Sequence, residues 1–339
     1  MTDQATEILD YKTTELAKPP MSAHLMRWLN VGGSFLALLV IFGLFTFMSG
    51  PRFASVANID KIFRQTAIVG VGAMGMTLIM IAGGIDLSVG SLVALVTVVT
   101  AKALQMGYNP WIAAIAGTVA GLVGGAINGT LITMLRVVPF IVTLGTLLIY
   151  RGVAEWFAHD QKIDADETIL TNLIGTLPPG QKWMIFPPAV WFMLLIVLAM
   201  ACLLRYTRFG RHAVALGSNE LTARLCGIRV PVVKIAVYSV GGMLVGIAGV
   251  MQFARLTVGD PTVAVGLELD IIAAVVIGGG SLSGGEGTAL GSLIGALIMT
   301  VIQTGCSYMG WENHVQLIVT GMIIIIAVTL DRLRHRKTS

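Results

Sequence analysis

The chain has 339 residues, of which 55% are hydrophobic and only 12% charged, about half the charge of an ordinary soluble domain. That balance excludes a water-soluble globular domain and points to a polytopic integral membrane protein. The formal charge of +4 does not indicate a nucleic-acid partner, because Lys and Arg sit at the ends of apolar segments instead of forming one patch.

Residues 1–28 are polar and of mixed charge, without an early apolar run, and read as a cytoplasmic tail and not a cleaved signal peptide. A spanning helix needs about 20 mostly apolar residues. Ten segments approach that requirement: 29–49, 67–83, 88–106, 110–134, 138–158, 186–204, 232–256, 268–280, 288–307 and 314–330. The eighth is short. The second with the third, and the eighth with the ninth, can each be read as one interrupted unit. The expected fold is therefore an all-α bundle of eight to ten spans, with ten preferred. It fills 29–330, with a cytoplasmic loop at 205–231 and a basic tail at 331–339.

Orientation follows from the cations. Lys12, Lys18 and Arg27 mark the N-terminal tail as cytoplasmic. Arg205, Arg208, Arg211, Arg224, Arg229 and Lys234 do the same for the 205–231 loop, and Arg332, Arg334, Arg336 and Lys337 for the C-terminal tail. The 159–185 loop sets Asp160, Asp164, Asp166 and Glu167 against Lys162 and Lys182, which suits the outside. N-in and C-in require an even number of spans. Arg52, Lys61 and Arg64 then fall on the wrong side, a conflict that a stretch at 55–66 lying in the interface would soften.

The 40 glycines are read first as packing residues, since small side chains let helices approach in lipid. Gly70, Gly72, Gly117, Gly121, Gly124, Gly125, Gly241, Gly242, Gly246 and Gly249 form such faces. The widely spaced Cys202, Cys226 and Cys306 give neither a disulfide framework nor a metal site.

Three features exceed packing. In Gly83-Gly84-Ile85-Asp86-Leu87-Ser88-Val89-Gly90-Ser91, adjacent glycines and a carboxylate interrupt an apolar stretch. A carboxylate at membrane depth costs about 2.5–3.5 kcal/mol on insertion scales and is rarely incidental. Asp86 can cap the following helix or meet a transported solute, and the two roles are compatible. In Gly278–Gly287 the run Gly279, Gly280, Gly284 and Gly285 breaks a second pair of apolar segments. Leu282–Glu286 looks like the nucleotide signature of cassette ATPases, but the chain has no GxxxxGK[ST] phosphate loop. A tight re-entrant turn is the better reading, echoing the break around Asp86. Hydroxyl and carboxylate groups near the breaks and helix starts make Asp86, Ser88, Ser91, Thr143, Ser281 and Ser283 the candidate pathway residues.

The third feature is the 205–231 loop. Ser218 or Asn219 can N-cap a short helix, Glu220 suits its first turn, Gly227 its exit, and Pro231 stops it. Leu221 and Leu225 share one face. Such a knob fits a groove on a cytoplasmic partner.

Together these strings resemble the permease subunits of bacterial ABC importers for ribose, xylose, galactose and related sugars. Gly83–Ser91, Arg136–Thr146, Thr207–Arg211 with Ala215–Asn219, and Gly278–Gly287 carry the resemblance, which covers about 30–335. It implies an inner-membrane permease that is not itself an enzyme and pairs with a second copy or homologue. Two cytoplasmic cassette subunits would hold the ATP and Mg, so that this chain needs no cofactor, and a periplasmic binding protein would deliver the solute. The segment Gly217–Ile228 would be the helix that docks on the ATPase, with Gly217, Asn219, Glu220, Leu221, Ala223, Leu225 and Gly227 as its coupling residues. ATP would close the ATPase dimer, move that helix and alternate access. Ser218-Asn219 and Thr222-Ala223 depart from the Gly-Asn and paired alanines frequent in the family. The rivals are a branched-chain amino-acid permease of the same kind, an ion-driven secondary transporter, and a membrane scaffold that moves nothing.

Overall fold

The structure is a computed structural model that describes residues 22–177 and 184–336. Lys12, Lys18, Lys182 and Lys337, which entered the orientation reading, lie outside the described residues, as does most of the N-terminal tail. Thirteen α-helices make up the described residues, with a 3₁₀ turn at Pro51–Ala54 and two very short strands. In chain order the helices are α1 (Ser22–Ser49), α2 (Val56–Ile81), α3 (Val89–Gln105), α4 (Pro110–Leu135), α5 (Pro139–Ala158), α6 (Thr171–Ile174) and α7 (Pro188–Tyr206). They continue with α8 (Arg208–Ser218), α9 (Glu220–Leu225), α10 (Val230–Leu256), α11 (Leu267–Ile277), α12 (Ala289–Tyr308) and α13 (Asn313–Arg336). The fold is thus an all-α membrane-helix bundle. Seven helices are long and apolar enough to cross a membrane: α1, α2, α4, α5, α7, α10 and α12. Shorter apolar helical stretches occur at Val89–Gln105 and His314–Ile326.

The bundle has a centre and a rim. Every residue of α2 from Thr66 to Ile81 is buried, and α10, α3 and α12 pack around it. On the rim, Ile115, Val119 and Leu122 of α4, Leu144 and Leu148 of α5, and Leu194, Leu195 and Leu198 of α7 are exposed. Their spacing of three and four residues makes an apolar stripe on each helix, suited to lipid. Where central helices cross, backbone meets backbone. A Cβ on Gly125 of α4 would strike the Tyr238 carbonyl of α10, and one on Gly75 of α2 would lie 2.8 Å from the Gly241 carbonyl.

Two expectations are corrected. The stretch 55–66 is not a separate interfacial segment. It is the first part of α2, N-capped by Ser55, whose hydroxyl accepts from Asn58 N. Lys61 and Arg64 therefore sit on a helix, and Arg64 pairs with Asp60 one turn earlier at 3.0 Å. Next to it Phe53 is fully buried among Phe42, Phe45 and Tyr308, which fixes the entry angle of the chain. Secondly, the 205–231 segment holds two helices, not one. α8 is amphipathic, burying Gly210, Ala213 and Leu216, and Pro231 lies in the first turn of α10, where proline starts a helix.

The short eighth segment has a structural cause. β1 (Ile163–Asp164) pairs antiparallel with β2 (Val258–Gly259). After β2 the chain turns back alongside α3. Gly259 lies against Ala101 and Val98, Asp260 exchanges hydrogen bonds with Thr97 Oγ1, and Ala264 and Glu268 lie against Gly90. From Ala101 to Gly90 the axis of α3 covers about 16 Å. The segment 259–266 thus descends without helix, and α11 begins part-way across the bundle. Its eleven residues reach about 16 Å, half of a hydrocarbon core of about 30 Å.

Candidate functional site

The first break begins where α2 runs out. Gly83 N donates to Met80 O and Gly84 N to Ile79 O, and Gly83 adopts φ +80°, a left-handed closing turn that glycine enters without strain. Three residues later Asp86 is only 1% exposed. Its Oδ1 accepts from Ser88 N at 2.8 Å and from Ser88 Oγ at 2.6 Å, while Asn128 Nδ2 donates to Oδ2 at 3.3 Å. Ser88 Oγ in turn accepts from Asn128 at 2.8 Å, and the Tyr150 hydroxyl lies 2.8 Å from Gly124 O and 3.1 Å from Asn128 Oδ1. One carboxylate thereby ties the break to α4 and α5. Ser88 holds the N-cap position of α3, without a side-chain cap. The Asp86 carboxylate closes the turn on Ser88 itself, and among the described residues it touches no N–H of the first turn of α3.

Ser91, in that first turn, is buried. Thr143 is buried as well, its hydroxyl 3.2 Å from Ile85 O and 3.1 Å from Pro139 O. Tyr238 of α10 reaches the same Ile85 carbonyl at 3.4 Å. In the second break Ser281 is buried. Its N–H donates to Glu286 O, and its hydroxyl accepts from Ser283 N at 3.2 Å. Gly279, Gly284 and Gly285 take φ +89°, +87° and +77°. Ser283 is exposed.

The two breaks meet, and the end of α8 lies between them. Gly285 N donates to Ile81 O at 2.9 Å, joining break to break. Gly217 seats its α-carbon against both: a Cβ there would strike Ile81 O and lie 2.7 Å from Gly285 N. A Cβ on Gly83 or Gly284 would in turn face Gly217 at 3.5 and 2.8 Å. Residues 81–84, 217–218 and 284–285 thus make a junction of closely approaching backbone, with the Ser218 hydroxyl beside Gly285. Beside it lies a cavity of about 300 Å³, lined by Gly83, Gly84, Asn219, Glu220, Lys234 and Tyr238 among others.

α9 hangs from this junction. Asn219 Oδ1 accepts from Thr222 N at 2.9 Å, a side-chain N-cap. Glu220 bonds Arg224 at 3.3 Å and Lys234 of α10 at 2.8 Å. Ala223 is buried, while Leu221 and Leu225 are 68% and 80% exposed on the opposite side. Gly227 (φ +84°) ends the helix, with Ile228 N returning to Ala223 O.

Sequence reasoning missed three groups. Asn128 and Tyr150 complete the Asp86 network, and each is a polar residue inside an apolar span, the signal that could have found it. Arg151 stands inside the fifth expected span. Its Nη1 donates to Pro261 O at 2.6 Å and Val263 O at 2.8 Å, bracing the descending segment. Gln303 of α12 donates to Asp270 Oδ2 at 2.6 Å and accepts from Gln65 at 3.1 Å, linking α11, α12 and α2.

Comparison with known proteins shows the family to which the chain belongs. The family described as branched-chain amino acid transport system / permease component matches residues 58–328. The chain is 40% identical over 304 residues to the ribose import permease protein RbsC of Escherichia coli (strain K12), covering 90% of this chain and 94% of that one. Identity to the Bacillus subtilis (strain 168) protein of the same name is 38% over 322 residues, 95% of this chain and 98% of that one. Identity to the D-allose transport system permease protein AlsC of Escherichia coli (strain K12) is 36% over 302 residues, 89% and 91%. No solved structure matches the chain.

Proposed function

The chain belongs to the branched-chain amino acid transport system / permease component family, and we propose that within it the chain is the solute pathway of a sugar importer powered from another chain. It is a multi-pass inner-membrane permease and not itself an enzyme. Its family implies two kinds of partner, an ATPase and a periplasmic binding protein. Relatives at 36–40% identity named for ribose and D-allose import support a pentose or hexose as the solute. We assign ten spans to α1, α2, α3, α4, α5, α7, α10, α11, α12 and α13. That count sets both termini and the basic 205–231 loop on the cytoplasmic side, and it makes the short α11 the inner half of a crossing whose outer half is the segment 257–266. Two permease subunits and two ATPase subunits complete the complex.

One observation carries the coupling role. α9 turns Leu221 and Leu225 outward while its root, Gly217, is wedged between both helix breaks. A partner that grips the leucines therefore has a lever on the membrane segments. Closure of the ATPase around ATP would pull α9, shift the junction and open the bundle to the other side. Hydrolysis would reset it.

The test is reconstitution of the permease with its ATPase and binding protein in proteoliposomes, followed by ribose uptake. ATP-dependent uptake is expected from the parent complex. L221D and L225D lie on an exposed face, so each permease variant should purify in normal yield. Each should lose about tenfold or more in ATPase affinity, as expected of a buried apolar anchor at an interface. Normal docking and uptake in both variants would refute the coupling role. The family's own description keeps a branched-chain amino acid as the second reading, and leucine uptake in place of ribose uptake would establish it.

A further inference from the structure

Non-helical backbone and charged side chains at membrane depth persist only where protein buries them or water reaches them. The descending segment and the start of α11 combine both features. Between Asp260, at the level of Thr97, and Glu268, at the level of Gly90, the chain runs beside the middle of α3 with no helix until Leu267. Yet this stretch is open on one side. Val265 is 79% exposed, Thr262 and Leu269 are exposed, and Glu268 and Arg151 are half-buried. Lipid cannot cover such a face cheaply.

The polar atoms there are not used up internally. Arg151 spends Nη1 on Pro261 O and Val263 O, and among the described residues its Nη2 and Nε bond nothing. Glu268 accepts with Oε1 from Gly266 N at 3.3 Å. Its Oε2 points at Gly90, where even a methyl group would collide with it. Gly90 thus keeps space for a carboxylate that sequence reasoning had not connected to it. Five of the six pathway candidates drawn from the sequence differ in this respect, while Ser283 is exposed and lines the cavity beside the junction. Asp86, Ser88, Ser91, Thr143 and Ser281 are buried, and the hydrogen bonds of Asp86, Ser88, Thr143 and Ser281 are made within the chain.

We propose that the solute travels along the face formed by residues 261–269 and α5, and that Glu268 and Arg151 are its polar contacts part-way across the membrane. This rests on the importer reading and names its site. The chemistry suits a neutral polyhydroxylated solute. Each sugar hydroxyl both donates and accepts, so neighbouring hydroxyls can give a proton to the carboxylate while accepting from the guanidinium. The groove is open, and the second permease subunit of the proposed complex supplies the opposite wall.

The experiment uses the full complex in proteoliposomes with Cys202→Ser and Cys226→Ser as background. Val265→Cys and Thr262→Cys are probed with a charged, membrane-impermeant methanethiosulfonate. Ile115→Cys on α4 and Leu195→Cys on α7 serve as lipid-facing references. Labelling of the first pair about tenfold faster than the references, slowed by ribose with its binding protein, is expected of a water-lined solute path. Val265→Cys labelling no faster than Ile115→Cys would overturn the proposal. ATP-driven uptake by the parent complex in the same preparation tells that result apart from failure of the importer reading. In parallel, Glu268→Gln and Arg151→Lys should each raise the half-saturating solute concentration about tenfold, as expected when one charge-assisted hydrogen bond is weakened. An unaltered half-saturation in both variants would also overturn the assignment.

Discussion

Replacing Gly217 by alanine inserts one methyl group where three backbone segments meet. The new carbon would fall on Ile81 O and within 2.7 Å of Gly285 N, the two ends of the hydrogen bond that joins the breaks. Neither neighbour is a flexible side chain, so no rotamer change relieves the clash. Losing that bond costs about 0.5–1.5 kcal/mol, and overpacking a close contact adds about 1–3 kcal/mol. A total of about 1.5–4.5 kcal/mol follows. The strain is relieved only by moving α8 away from the breaks, which is the link that coupling needs. Thermal unfolding of the purified permease should therefore move down, and the ratio of solute moved to ATP hydrolysed in the reconstituted complex should fall further than ATPase activity does. Gly145→Ala is the matched control, because nothing lies within 4 Å of a Cβ there. On a helix it should stabilise by about 0.5–1 kcal/mol. If Gly217→Ala unfolded like the parent and kept its solute-to-ATP ratio, the junction would be a loose contact and the coupling route through it wrong.

Substitutions at two further positions test the break around Asp86 and the central crossing. Asp86→Ala leaves Ser88 N and Ser88 Oγ without their acceptor and Asn128 Nδ2 with Ser88 Oγ alone, at about 1–3 kcal/mol for each donor left dry, and Asp86→Asn should cost clearly less because it keeps one acceptor oxygen. Unfolding midpoints of the two purified variants decide this, and equal midpoints for Asp86→Ala and the parent would refute it. Gly125→Ala drives a methyl group into the Tyr238 carbonyl, with Gly242 backbone at 2.9 Å, so the α4–α10 crossing should open by a measurable increase in the distance between spin labels on the two helices.

The helix positions were legible because a span announces itself by continuous hydropathy, and each of the ten expected segments coincides with a helix of the bundle. Three departures have physical causes. Lys61 and Arg64 depress hydropathy in 55–66, yet burial of one face of α2 carries the helix through them. α8 contains Gly210, His212 and Gly217, poor helix formers, and is held instead by tertiary contact, with Gly210 pressed against the Leu203–Leu204 backbone. The brevity of α11 was visible as a weak eighth segment, but its reason was not. The descent of 259–266 is fixed by pairing with α3 and by Arg151, partners more than a hundred residues away. For the candidate site, the glycine breaks and the capped α9 could be read directly from residue types. The meeting of Gly83, Gly217 and Gly284 could not, because glycines that touch through backbone leave no complementary side-chain pattern.

That meeting bears on how a small displacement could reach the middle of the membrane. α2 ends at the junction, and α3 starts five residues beyond Gly84 and is tied to α4 and α5 through Asp86, Asn128 and Tyr150. α11 ends one residue before Gly278, whose backbone abuts Gly291 in the first turn of α12. A movement of α8 therefore acts on the ends of four helices together. The other end of α11 is also held, since Glu268 lies against Gly90, one turn past the first break. α11 is thus gripped at its C-terminal end by the glycine junction and at its N-terminal end by the start of α3. The first turn of α3 bears on the second grip and the break before it on the first, so a shift at Gly217 cannot tilt α11 without also changing the setting of Glu268. A short half-helix clamped in this way converts a push at the junction into a rearrangement beside Arg151, where an unbroken span would spread the same push along its length.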